Sequence, residues 1–152
     1  MIVVATDEEY KLAKQRFRGH IIIKTGIGAT NVAKSLRFIP KWTKLINFGY
    51  AGSNNLAIGK EVKVGTAQLY HPNVEKLIPN FTKKHETIYK LQNGKVPCYT
   101  SSDFVLHTDI KKPVVFDMEL AYIMALGFRR VESIKIVSDN LSLHEYQKTT
   151  EG

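Results

Sequence analysis

A single-domain α/β fold, with a central mixed β-sheet flanked by helices, is predicted by three observations. Short apolar runs of strand character alternate with helix-patterned segments, as crossover connections in a largely parallel sheet require. The pair Asn93-Gly94 between two strand-like runs is a hairpin turn signal, which makes the expected sheet mixed. The 152 residues, 43% of them hydrophobic, suit one domain over 1–152, with no repeat, low-complexity tract or linker to divide it.

Ile2, Val3, Val4 and Ala5 form a continuous apolar run, as in a strand buried on both faces. Thr6 and Glu9 have capping-box spacing. The helix they open is expected over 8–17, with Leu12, Ala13 and Phe17 on one stripe and Gly19 ending it. Residues 20–24 read as a second strand, Thr25-Gly26-Ile27-Gly28 as a tight turn, and 29–38 as a helix closed by Pro40. A third strand is expected at 45–48. The run from Gly49 to Asn55 then reads as a loop whose glycines permit positive φ. Further strands are expected at 62–69, 87–91, 96–99, 114–116 and 132–137, and a helix at 118–126 that Gly127 ends.

Composition limits the function classes. The chain carries 22 Lys plus Arg against 14 Asp plus Glu, a net charge of +8. These cations are dispersed, with no run longer than pairs such as Lys83-Lys84, Lys111-Lys112 and Arg129-Arg130. Phosphate backbones are bound by clustered cations, so a basic solvated surface and no nucleic-acid partner are expected. No apolar run is long enough for a membrane span, and the start lacks the basic flank of a signal peptide. The lone Cys98, beside Pro97, reads as a buried thiol in a reducing, cytoplasmic setting. Asn31 stands where a dinucleotide fingerprint starting at Gly26 wants glycine, and Gly59-Lys60-Glu61 lacks the rest of a P-loop. The five histidines show no metal-ligand spacing, so neither metal nor cofactor is expected.

Ligands in such sheets lie beyond the carboxyl ends of the strands. The loops expected there contain Asp7 to Glu9, Thr25 to Gly28, Gly49 to Asn55, Met118-Glu119 and Ser138-Asp139. Glycine turns and carboxylates dominate them. The implied pocket has several acids and few cations.

Taken in order, Ala5-Thr6-Asp7-Glu8-Glu9, Thr25 to Gly28, Asn47 to Gly52, Ser102-Asp103-Phe104, Asp117-Met118-Glu119 and Ser138-Asp139 resemble the nucleoside phosphorylase superfamily. Within it the pattern is most similar to the 5′-methylthioadenosine/S-adenosylhomocysteine nucleosidases, in collinear order over nearly the whole chain. The resemblance implies a homodimer acting on a small purine nucleoside. It also implies that Asp139 protonates the purine, Glu119 hydrogen-bonds the ribose hydroxyls and Glu9 holds and deprotonates the attacking water. Met118 would pack beneath the sugar and Phe104 stack on the base. Lys135 would lie near water and ribose, with Gly49, Ala51 and Ser138 against the substrate.

Carboxylates suit this chemistry, because an oxocarbenium-like sugar develops positive charge and the leaving purine needs a proton. Structural alternatives stand beside each role. Asp139 is also placed to cap a terminal turn, Glu9 to complete the capping box, and Glu119 to sit in a helix first turn, where the dipole would keep it ionised. Met118 also fits an ordinary core, and Asp117 fits a surface or dimer contact.

Three carboxylates and no arginine in the first loop would repel a phosphate dianion, so water is the expected nucleophile. Tyr50 stands where the resembling enzymes usually have a small residue. Few residues follow Asp139, so their long final helix is expected to be reduced or absent. A phosphorylase or other ribosyl-bond enzyme of the same shortened fold, and a nucleoside-binding protein without catalysis, remain the alternatives.

Overall fold

The computed structural model describes residues 1–151. The elements run β1 (Ile2–Val4), α1 (Asp7–Arg16), β2 (Ile22–Lys24), α2 (Ala29–Leu36), β3 (Leu45–Ser53), β4 (Glu61–Leu69), α3 (Pro72–Leu77) and α4 (Phe81–His85). They continue with β5 (Tyr89–Lys90), β6 (Val96–Thr100), β7 (Val115–Asp117), α5 (Leu120–Ala125), β8 (Val131–Asp139) and α6 (Leu143–Glu151). All eight strands join one mixed sheet in the order β2-β1-β3-β7-β6-β4-β5, with β8 pairing both β3 and β4. β1 is parallel to β2 and β3, β8 is parallel to β3, and β4 is antiparallel to β8.

Local chemistry accounts for the first helix. The Thr6 hydroxyl accepts the Glu9 amide at 3.2 Å while the Glu9 carboxylate accepts the Thr6 amide at 3.3 Å, closing the expected capping box. Asp7, Glu8 and Glu9 occupy the first turn, with Lys14 and Arg16 in the last, so both ends complement the helix dipole. Ala13 buries against Ile2, Val4 and Phe48, and Phe17 meets Phe48 edge-on at 5.3 Å. A second apolar cluster joins Val32 and Leu36 of α2, Leu120 and Ile123 of α5, and Val3, Leu45 and Val137 of the sheet.

Three expectations need correction. The residues read as the loop after the third strand continue as strand, so β3 runs nine residues to Ser53. Gly49 and Gly52 are therefore extended, and what they supply is room, as described below. The Asn93-Gly94 turn does not close a hairpin. β4 lies between β5 and β6, antiparallel to the first and parallel to the second. The turn instead carries the chain over β4, with the Leu91 amide on the Gly65 carbonyl at 3.0 Å and the Lys95 amide on the Lys63 carbonyl at 3.1 Å. Finally, two short helices, α3 and α4, fill a stretch in which sequence patterning indicated no helix. No helix among the described residues is long and apolar enough to cross a membrane.

Candidate active site

Segments at the carboxyl ends of β1, β3, β7 and β8 meet, with Ile27, Phe104 and Tyr146, in a cleft of about 580 Å3. Four acids line it: Glu9, Asp117, Glu119 and Asp139. None of its described lining residues is lysine or arginine.

Glu9 reaches the cleft from the first turn of α1. Its Oε1 accepts the Ala5 amide at 2.8 Å and the Thr6 amide at 3.3 Å, and its Oε2 accepts the Tyr50 amide at 2.8 Å. A carboxylate oxygen has two acceptor sites, so Oε2 keeps one for a further partner. Burial raises the Glu9 pKa against the pull of Lys135 and the three amides. A Cβ at Gly49 would run into this carboxylate, so only glycine lets β3 pass so close.

Asp139 ends β8. Between the pairs Ala51–Val137 and Gly52–Asp139 the register shifts by one residue, leaving Ser138 as a bulge. The Ser138 hydroxyl donates to Asp139 Oδ1 at 2.7 Å and the Leu141 amide to Oδ2 at 3.0 Å. Asp139 is 0% exposed, and burial raises its pKa. A Cβ on Gly52 would lie 2.9 Å from Asp139 Oδ2, so a second glycine of β3 accommodates a second acid. Through the Leu141 amide Asp139 caps the turn that leads into α6, but it does not cap the helix itself. Ser142 does, its hydroxyl accepting the Glu145 amide at 3.3 Å.

Glu119 precedes α5, and its Oε2 accepts the Gly28 amide at 3.1 Å. The helix start does not keep it ionised as expected. Burial first, and then the charge of Asp117, push its pKa up to about 8. Asp117 is no surface group either. Its Oδ2 pairs with Lys135 Nζ at 3.1 Å and accepts the Leu120 amide at 2.8 Å, while Oδ1 accepts the Thr100 hydroxyl at 2.5 Å. Burial opposes the Asp117 charge, but Lys135 and these donors hold its pKa below the ordinary value. Lys135, 2% exposed, is likewise held above the usual lysine value by Asp117 and the surrounding acids, against the cost of burial.

Met118, Phe104, Ala51 and Ser138 line the cleft with the acids, whereas Lys135 and Gly49 do not. Lys135 lies beneath the acids and Gly49 behind Glu9. Tyr50 does line the cleft, as do Ile27, from the 25–28 loop expected there, and Tyr146, which sequence reasoning missed. Tyr146 belongs to α6, a nine-residue helix in the segment where the final helix was expected to be reduced or absent. Its ring meets Phe104 edge-on at 5.6 Å, a contact that no local spacing announces.

No family model and no curated protein matches the sequence. Solved structures do match the fold. A 5′-methylthioadenosine/S-adenosylhomocysteine nucleosidase from S. pneumoniae has a TM-score of 0.75 at 18% identity, over 98% of this chain and 90% of its own. An S-adenosylhomocysteine nucleosidase from Streptococcus pyogenes has a TM-score of 0.77 at 16% identity, over 98% and 88%. The chain has the nucleosidase fold. A futalosine hydrolase from Helicobacter pylori shares it, with a TM-score of 0.77 at 15% identity over 99% and 89%. In the nucleosidase fold of this chain the acidic cleft opens at the strand carboxyl ends, where open α/β sheets place ligands.

Proposed function

We propose that the cleft hydrolyses the N-glycosidic bond of an adenine nucleoside of the 5′-methylthioadenosine/S-adenosylhomocysteine type. The observation that carries this reading is a cleft lined by four acids and no described cation. Carboxylates suit an oxocarbenium-like sugar, and the lining offers no lysine or arginine to hold an attacking phosphate dianion.

Asp139, its pKa raised by burial, donates a proton to the purine as the bond to C1′ breaks. Ser138 and the Leu141 amide fix the carboxyl orientation, and their bonds stabilise the anion left behind. Glu9 uses the free acceptor site of Oε2 to hold a water molecule and takes its proton as the water adds to C1′. Glu119, with a pKa near neutrality, can both accept from and donate to the ribose hydroxyls. Met118 supports the sugar, and Phe104 with Tyr146 encloses the base or the 5′ group. Lys135 serves from below, by neutralising Asp117 rather than by touching substrate.

The test is release of free adenine from methylthioadenosine and adenosylhomocysteine, with and without phosphate. Phosphate-independent release is expected. Strict phosphate dependence would select a phosphorylase, and saturable binding without turnover a non-catalytic protein. Futalosine belongs in the same panel, because a futalosine hydrolase shares the fold.

A further inference from the structure

The first turn of α5 is served from outside the helix. A residue at the N-cap ordinarily uses its own side chain to accept an amide of that turn. Glu119 holds this position and makes no such bond. The Leu120 amide goes instead to Asp117 Oδ2 at 2.8 Å, and the Ala121 amide to the Thr100 hydroxyl at 3.0 Å. Glu119 keeps its carboxylate for the cleft, where Oε2 meets the Gly28 amide at 3.1 Å.

Thr100 links these pieces. It ends β6 and is the ladder partner of Asp117 on β7. Its hydroxyl has one hydrogen, given to Asp117 Oδ1 at 2.5 Å, so toward Ala121 the oxygen acts as an acceptor. Asp117 has no site left to take over that amide, because Thr100, Cys98, Leu120 and Lys135 already occupy its two oxygens. Thr100 is 0% exposed and does not line the cleft, so it acts on a substrate only through another residue. We propose that Thr100 is a positioning residue that keeps the Glu119 carboxylate turned toward the ribose. This rests on the ribose-binding role given to Glu119 above. Without the hydroxyl the buried Ala121 amide has no partner, a costly state, and the N-cap carboxylate is the acceptor that helix geometry offers it. Glu119 then turns to cap α5 and releases the sugar hydroxyls.

Adenine release from 5′-methylthioadenosine and from its 2′-deoxy analogue tests this in the full chain. The ratio of the two kcat/KM values should fall about tenfold in Thr100→Val, the worth of one hydrogen bond to a charged group, and return in Thr100→Ser. The greater intrinsic lability of the deoxy sugar cancels when variant and wild type are compared. A purely structural loss would lower both substrates alike. An unchanged ratio would therefore overturn the proposal and leave the proposed function standing. Thr100→Cys, whose thiol bonds only weakly, carries the same test with the same outcomes if the valine variant does not fold. Wild-type protein that takes both sugars with equal KM, or cleaves neither, would overturn the role of Glu119 and this inference with it.

Discussion

Lys135 Nζ lies 3.1 Å from Asp117 Oδ2, and both side chains are shut away from solvent. The pair is the only buried ion pair among the described residues, and it sits beneath three further acids, of which Glu9 and Glu119 feel its charge. A lone buried carboxylate is costly, and a buried pair has to satisfy its remaining lone pairs to survive. Thr100, Leu120 and Cys98 provide those bonds to Asp117.

Removing one partner should therefore be far worse than removing both. Lys135→Met is expected to cost about 3–5 kcal/mol of stability. Lys135→Met combined with Asp117→Asn should recover a large share of that loss. Urea unfolding of the two single variants and the double variant measures the coupling.

Stability should fall as pH rises through neutrality. Glu119 has an ordinary value of 4.5 unfolded and about 8 folded, so between these values the native state holds the extra proton. Stability attributable to this group is full below the lower value and is lost as pH climbs to the upper, at about 1.4 kcal/mol per unit at most. Glu9 and Asp139, also raised by burial, act in the same direction. Asp117, lowered, acts only in the acid range below its ordinary value of 3.8. Glu119→Gln should flatten the slope, read from urea midpoints across the pH range.

Alanine at either glycine of β3 should harm the cleft. Gly49→Ala collides with the Glu9 carboxylate and Gly52→Ala with that of Asp139. A stability loss of about 1–3 kcal/mol is expected for each, as for overpacking elsewhere. Turnover of a competent substrate should drop more in these variants than stability alone explains, measured well below the melting point.

On the proposed mechanism Asp139→Asn lowers kcat by about 10²–10⁴ with KM little changed, because the proton is needed only as the bond breaks. Steady-state adenine release provides both constants.

Tyr146→Ala should instead raise KM and leave kcat nearly unchanged. Its edge-on contact with Phe104 at 5.6 Å contributes enclosure and no proton transfer. Aromatic pairs of this kind contribute about 1 kcal/mol, or several-fold in KM.

Much of the frame was legible because it is local. The capping box at Thr6, the buried run of β1 and the alternation of strands with helices can be read from neighbouring residues. Glu9, Glu119 and Asp139 were legible from their places at the ends of expected strands, whereas Asp117, expected at a surface or dimer contact, was not. Their electrostatics were not legible either. The value of Glu119 is set by burial and by Asp117, whereas its place at a helix start suggested the opposite shift. The misread hairpin at Asn93 has the same origin, since local turn chemistry is identical whether the flanking strands pair or have β4 between them. Tyr146 entered the cleft through a contact forty-two positions away in sequence, which no pattern encodes.

The carboxylate of Glu9 is shared between two tasks, since Oε1 ties down the front of α1 while Oε2 keeps an acceptor site on the cleft side. Fraying of that helix by a single turn would withdraw the group at the same moment as it loosened the chain. A probe of helix order, such as amide exchange at Thr6 and Glu9, would then report directly on the fraction of molecules ready to react. Folding and readiness would share one switch.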